Sequence, residues 1–269
     1  FFHKLPELEP GYRVEDDVKI RVISKDVLDE LFYDYFNSED DKHKQFIAFL
    51  DDYSNGRNFD DIKKKIIALH GDIRNIPKYD DVIHGIIQEY KGIKSSNDLD
   101  KYLRSKNNVA NYYETILEKK NAKAKKNQNN KTEQNIDEFQ LTLNTILHAA
   151  FMLELVLDFD RRVQIAKTEA GVIDFADIEH FAIQLIEDKN VADFYSKKFD
   201  YIFIDEYQDT SAIQEYFISK ISRKSSLFMV GDIKQSIYRF RNAEPQIFKG
   251  KYDEFISEKD AVSESGGLD

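Results

Sequence analysis

Tyr201–Thr210 reads Y-I-F-I-D-E-Y-Q-D-T. The β-forming run Tyr201–Ile204, which reads as a buried strand, stops at two adjacent carboxylates, Asp205 and Glu206. Like charges side by side raise each other's cost of ionising, so the pair either sits in solvent or faces something positive. Before the run, helical spacing links Ile178, Phe181, Ala182 and Leu185; after it come a helical stretch at Ala212–Ile221 and a second apolar run at Leu227–Val230. Strand, helix, strand at this spacing predicts parallel strands joined by a crossover helix. Ligands of open α/β sheets bind outside the carboxyl ends of the strands, and Asp205 and Glu206 stand at such an end.

A hydrophobic strand ending in Asp-Glu is the Walker B pattern of phosphate-hydrolysing motors. There the Asp holds Mg²⁺ beside nucleotide phosphates, and the Glu orients and deprotonates the attacking water. A divalent cation also lets both acids stay ionised side by side.

The second run leads into G-D-I-K-Q-S-I-Y-R-F-R-N-A-E-P, Gly231–Pro245. Gly231 permits a sharp exit from the strand. Gln235 is a neutral amide that can read a terminal phosphate without adding charge. Tyr238 and Phe240 alternate with Arg239 and Arg241. Such aromatics can stack on bases, at about 1–3 kcal/mol per base. The same residues read equally well as core aromatics with arginines paired to acids.

Upstream the chain is helical in pattern, with apolar residues at three- and four-residue spacing near Lys25–Phe36, Lys42–Tyr53, Phe59–His70, Asp80–Lys91 and Leu99–Lys119. Paired acids at Asp51–Asp52, Asp60–Asp61 and Asp80–Asp81 fall at helix ends and read as solvated caps. The run K-K-N-A-K-A-K-K-N-Q-N-N-K, Lys119–Lys131, has no acid and no large apolar residue. It reads as a mobile loop, and Lys119, Lys120, Lys123, Lys125 and Lys126 are its candidate phosphate contacts. A long helix is expected from Ile136 to about Thr168, with Gly171 as its stop. Asp174 with Asp177 then reads as a cap and first-turn acid; His180 belongs to a packed helix.

Composition bounds the rest. The 269 residues are 41% hydrophobic and 33% charged, with formal charge −11 and no cysteine. That excludes disulfides and thiolate metal sites and fits a cytoplasmic protein. A charge of −11 argues against global attraction to nucleic acid, so DNA contact needs a local surface. Apolar stretches are broken by charge well short of the roughly 20 residues a membrane span requires, so no membrane partner is expected.

Together, I-D-E-Y-Q-D-T and V-G-D-I-K-Q-S-I-Y-R-F-R-N-A-E-P resemble motifs II and III of the UvrD/RecB-like superfamily 1 DNA helicases. They look most like the AddA (RexA) branch, the helicase–nuclease subunits of bacterial double-strand-break repair enzymes. Gly171–Leu185 resembles the segment before motif II in that branch. The resemblance implies an α/β fold: a mostly helical, 1B-like insertion joined to a partial P-loop NTPase parallel sheet. It divides the chain into an entry segment at 1–24, the insertion at 25–168 and the partial motor domain at 169–269. It implies that Asp205 ligates Mg²⁺, Glu206 is the catalytic base, and Gln235 and Arg241 sense the nucleotide. Tyr238 and Phe240 would meet single-stranded DNA. The fuel would be ATP, and the partner an AddB-like (RexB-like) subunit. Lys234 and Arg239 depart from the UvrD pattern and receive no role.

No G-x-x-x-x-G-K-[ST] loop occurs among the ten glycines. That loop cradles the phosphates, so the expectation is an internal fragment of a larger subunit that does not hydrolyse ATP alone. The alternative is a non-catalytic helical module that binds duplex DNA or a partner protein.

Overall fold

The computed structural model describes residues 11–54, 59–105, 131–223, 226–235 and 246–253. Arg241, Tyr238, Phe240 and the lysines at 119–126 lie outside the described residues. The chain divides into two compact units, one made of 1–29, 68–79 and 162–269, the other of 30–67 and 80–161.

The second unit is helical. Its segments come from α1 (Asp17–Asn37), α2 (Asp41–Ser54), α3 (Asp60–Ile73), α4 (Tyr79–Gly92), α5 (Ser96–Ser105) and α6 (Lys131–Glu169). Apolar residues on helical spacing give α1–α4 and α6 buried stripes. Leu31, Phe46, Phe49, Ile62, Ile66, Leu155 and Phe159 are almost wholly buried. Phe46 meets Phe32 and Phe36 edge-on at 5.3 and 5.2 Å, the geometry that ring quadrupoles favour. Asp60–Asp61 and Asp80–Asp81 sit in first turns, where they face the positive end of the helix dipole.

Within α6, Phe139–Glu169 is long and apolar enough to cross a membrane by composition, an exception to the expectation above. Its Leu155, Val156 and Phe159 are buried, and Glu154 pairs with Lys91 of α4.

The first unit carries two parallel strand pairs. β1 (Arg13–Val14) pairs with β2 (Val172–Ile173), Arg13 opposite Val172. β3 (Ile202–Ile204) pairs with β4 (Leu227–Met229) in the register 202–227, 203–228 and 204–229. Helices α7 (Phe175–Ile186), α8 (Lys189–Lys198) and α9 (Ala212–Ile221) pack against one another. The parallel pairing with a crossover helix is the arrangement the strand–helix–strand spacing predicts. β3 is not buried on both faces, however. Ile202, Ile204, Leu227 and Met229 are half-buried on one face, while Phe203 and Phe228 are 72% and 57% exposed on the other, their rings 5.7 Å apart.

Turns follow their sequence signals. α6 ends at Glu169, and Gly171 adopts φ +61, open to glycine without the Cβ clash. Asp174 caps α7 in a capping box: its carboxylate accepts from the Asp177 N–H (2.8 Å), and Asp177 Oδ2 accepts from the Asp174 N–H (2.8 Å). His180 is packed as expected, Nε2 lying 2.8 Å from the Arg74 carbonyl and the ring against Tyr79. At the end of α7, Glu187 accepts hydrogen bonds from Lys78 (2.7 Å) and Tyr216. Those two bonds, with Lys220 nearby, hold its carboxyl down to about 2.

The capping box is also one side of a buried charge cluster. Lys167 Nζ donates to Asp177 (2.7 and 2.8 Å) and Asp174 (2.9 Å), and Arg74 donates to Asp177 (2.7 Å). Lys167, Arg74 and Asp177 are all buried, to 2, 6 and 3% exposure. Burial alone would raise the Asp174 carboxyl, but the Lys167 and Arg74 charges and the hydrogen bonds outweigh it and hold it below the ordinary carboxylate value. Two cations facing two carboxylates satisfy the condition under which buried charge is tolerated.

Candidate functional site

Asp205 and Glu206 leave β3 at its carboxyl end, as the sequence predicts. Asp205 Oδ1 accepts from the Glu206 N–H at 2.9 Å. Glu206 is left-handed, with φ 49 and ψ 42, an uncommon state for a residue with a side chain. That backbone reversal starts a 3₁₀ turn, Tyr207–Asp209, closed by Asp209 N–H to Glu206 O at 2.8 Å. Both carboxylates are exposed. The turn then leads into α9, which opens with a second capping box between Ser211 and Gln214.

The carboxyl end of β4 lies alongside. Tyr207 N–H donates to Val230 O (2.9 Å), and Val230 N–H donates to Ile204 O (2.9 Å), so the two strand ends are stitched together. Gly231 and Asp232 follow. Asp232 caps a second 3₁₀ turn, Ile233–Gln235: its Oδ1 accepts from the Lys234 N–H (2.9 Å) and its Oδ2 from Gln235 Nε2 (3.2 Å). Its carboxyl is lowered, first by the Lys234 bond and then by Gln235. The structure thus brings Asp205, Glu206 and Gln235 onto one end of the β3–β4 pair.

Gln208, to which the sequence pattern assigns no role, joins the two turns. It is buried to 1%, its Nε2 donates to Glu206 Oε2 at 2.6 Å, and its Oε1 accepts from the Asp232 N–H at 2.9 Å. Gly231, after β4, is needed for space. A Cβ there would stand 2.4 Å from Gln208 Oε1 and 3.2 Å from both Gln208 N and a Phe248 ring carbon. Gly231→Ala is therefore expected to destabilise the fold by about 1–3 kcal/mol, the usual cost of overpacking. A urea midpoint unchanged from wild type would contradict that contact.

Tyr207 anchors the turn from beneath. It is fully buried, rests against Phe248 with ring centroids 5.6 Å apart, and donates its hydroxyl to Glu215. Burial and then that bond push its phenol above the usual range. Glu215 is also paired with Lys251 at 3.0 Å.

An open hollow of about 520 Å³ lies beside the carboxylates. Asp205, Glu206 and Asp209 line one side; Ile178 and Glu179 of α7 and Phe217 of α9 line the others. Asp205 and Glu206 accept from neutral donors, and among the described residues no lysine or arginine forms an ion pair with either. Among the described residues no three His, Asp or Glu side chains converge as a metal site. Two exposed, adjacent carboxylates at the mouth of an open hollow fit a hard cation that keeps most of its water or takes phosphate oxygens. Mg²⁺ behaves in that way.

The family described as UvrD/REP helicase N-terminal domain matches residues 6–256 of the chain. Over 113 residues the chain is 46% identical to the A subunit of the ATP-dependent helicase/nuclease of Alkaliphilus oremlandii, which aligns 42% of this chain with 9% of that protein. It is 47% identical over 105 residues to the protein of the same name from Alkaliphilus metalliredigens, 39% of this chain and 9% of the relative. The Bacillus cytotoxicus protein of that name is 42% identical over 120 residues, 40% of this chain and 10% of the relative. The chain thus spans about a tenth of the curated relatives it matches.

Proposed function

The chain belongs to the UvrD/REP helicase N-terminal domain family, and from that premise we propose that it is the motif II–III part of an ATP-driven DNA helicase–nuclease subunit that processes double-strand ends. The observation that carries this reading is the shared end of β3 and β4, where Asp205, Glu206 and Gln235 stand together. Asp205 would hold Mg²⁺ and Glu206 would take the proton of the attacking water. Gln235, already hydrogen-bonded to Asp232, would respond to the terminal phosphate and pass that state along the turn.

Bound Mg-ATP supplies the phosphoryl group and the charge that two adjacent carboxylates can face. The chain's own part is to present both carboxylates from one hydrogen-bonded turn at the mouth of the hollow beside α7 and α9. The helical unit corresponds in this reading to the 1B-like insertion, and the β3–β4 unit to the partial motor domain. Lys119, Lys120, Lys123, Lys125 and Lys126 would contact duplex phosphates. An AddB-like subunit would complete the enzyme in the cytoplasm.

Arg241, Tyr238 and Phe240 follow the Gln235 turn in sequence, with Arg241 proposed as the link from nucleotide to DNA. If Phe240 stacks on a base, Phe240→Ala should weaken single-strand binding by roughly 5- to 150-fold, equivalent to about 1–3 kcal/mol. Titration of a fluorescent single-stranded oligonucleotide and its duplex at two salt concentrations measures this. Equal single-strand affinity for the two proteins would remove Phe240 from the interface. Surviving duplex binding alone would assign the contact to the helical unit.

A further inference from the structure

We propose that Gln208 is a positioning residue that holds Glu206 in its working orientation and ties it to the turn carrying Gln235. The inference rests on the reading of Glu206 as the catalytic base. An unbroken series of hydrogen bonds runs from Glu206 Oε2 to Gln208 Nε2, from Gln208 Oε1 to the Asp232 N–H, and from Asp232 Oδ2 to Gln235 Nε2. The distances are 2.6, 2.9 and 3.2 Å. The first link joins the turn after β3 to the buried amide, and the second joins that amide to the turn after β4.

The chemistry at position 208 is specific to glutamine. One end must donate to a carboxylate, and the other must accept from a backbone N–H. An ionised glutamate cannot donate, a methionine offers neither function, and an asparagine is one methylene short. A lysine could donate to Glu206, but it would cancel the charge the base needs. The neutral amide restrains one oxygen of Glu206 and leaves its charge in place. Restraint matters because Glu206 is held in a left-handed backbone that most side chains avoid. Gly231 leaves the space the amide occupies, since a Cβ there would fall 2.4 Å from Gln208 Oε1.

The test uses the intact subunit with its phosphate-binding loop, comparing Gln208→Met, Gln208→Glu and Glu206→Gln. ATP hydrolysis is measured with and without single-stranded DNA across pH, together with the thermal midpoint. Gln208→Met is expected to lower DNA-stimulated kcat at least about tenfold while KM for Mg-ATP stays within about twofold. Gln208→Glu is expected to be as impaired at neutral pH and to recover toward acid pH. There the added carboxyl protonates and regains a donor, whereas Gln208→Met shows no such recovery.

If both Gln208 variants keep wild-type kcat while Glu206→Gln is inactive, the positioning role is overturned and the reading of Glu206 stands. A loss confined to KM, or one without the acid recovery of Gln208→Glu, overturns the positioning role as well. Wild-type kcat in Glu206→Gln overturns both.

Discussion

Asp177→Ala is expected to destabilise the first unit by about 3–5 kcal/mol, the cost of leaving buried charge without its partner. Asp177 is 3% exposed and receives Arg74 at 2.7 Å and Lys167 at 2.7 and 2.8 Å. With Asp177 removed, the two buried cations would lose the carboxylate that both of them bond, and Asp174 stands 3.8 Å from Arg74. The substitution also deletes the acceptor for the Asp174 N–H and so half of the α7 capping box. Total stability of a domain is about 5–15 kcal/mol, so the loss is large enough to show in a urea midpoint. Asp177→Asn keeps the shape and part of the hydrogen bonding, and should cost less than Asp177→Ala. Equal midpoints for wild type and Asp177→Ala would mean that the cluster contributes nothing net.

The same cluster sets an acid limit. The Asp174 carboxyl is held below its ordinary 3.8 despite burial, chiefly by Lys167 and then Arg74. A carboxyl lowered in the folded state contributes its stability fully above the unfolded value. That contribution is lost as pH falls through the lowered folded value. Glu187, held down to about 2 by Lys78 and Tyr216, acts in the same direction. The wild-type midpoint should therefore fall from about pH 4 downward, and part of that slope should vanish in Asp174→Asn.

Local chemistry made some of this fold legible in the sequence. Ala212–Ile221 and the strands near 202–204 and 227–229 lie where β-forming runs and helical spacing place them. Asp174–Asp177 is a short-range cap, and short-range caps read directly. α1 begins at Asp17 rather than near Lys25, because Asp16 Oδ1 caps it through the Val18 and Lys19 N–H groups. The β-branched run after that cap hides the helix from propensity. α8 lies in a stretch whose apolar spacing does not announce a helix, although Asp188 caps it.

Long-range partners left no local trace. Arg74 meets Asp177 across 103 positions, so the second role of the capping box could not be inferred from spacing. The role of Gln208 was closer to view. A buried amide two residues beyond the carboxylates needs partners at both ends, and the glycine opposite it marks where a side chain would not fit.

If Glu206 is the base proposed above, Glu206→Gln is expected to reduce ATP hydrolysis by the intact subunit by about 10²- to 10⁴-fold, the range of a lost general base. The change preserves volume and removes only the charge and basicity. In the proposed reading Asp205 remains at the end of β3 to hold the metal, so Mg-ATP affinity should change little. The adjacent pair is exposed, accepts hydrogen bonds from neutral donors, and opens on the hollow beside α7 and α9. Among the described residues no ion pair has to break before such a group meets an incoming cation and a water. The 269-residue chain, which contains no G-x-x-x-x-G-K-[ST] loop, should show no turnover in either form. Turnover by the pure chain that disappears in Glu206→Gln would show that the β3–β4 end assembles a phosphate site without that loop. Full activity of Glu206→Gln in the intact subunit would instead move the base elsewhere and leave Asp205 as the only functional carboxylate of the pair.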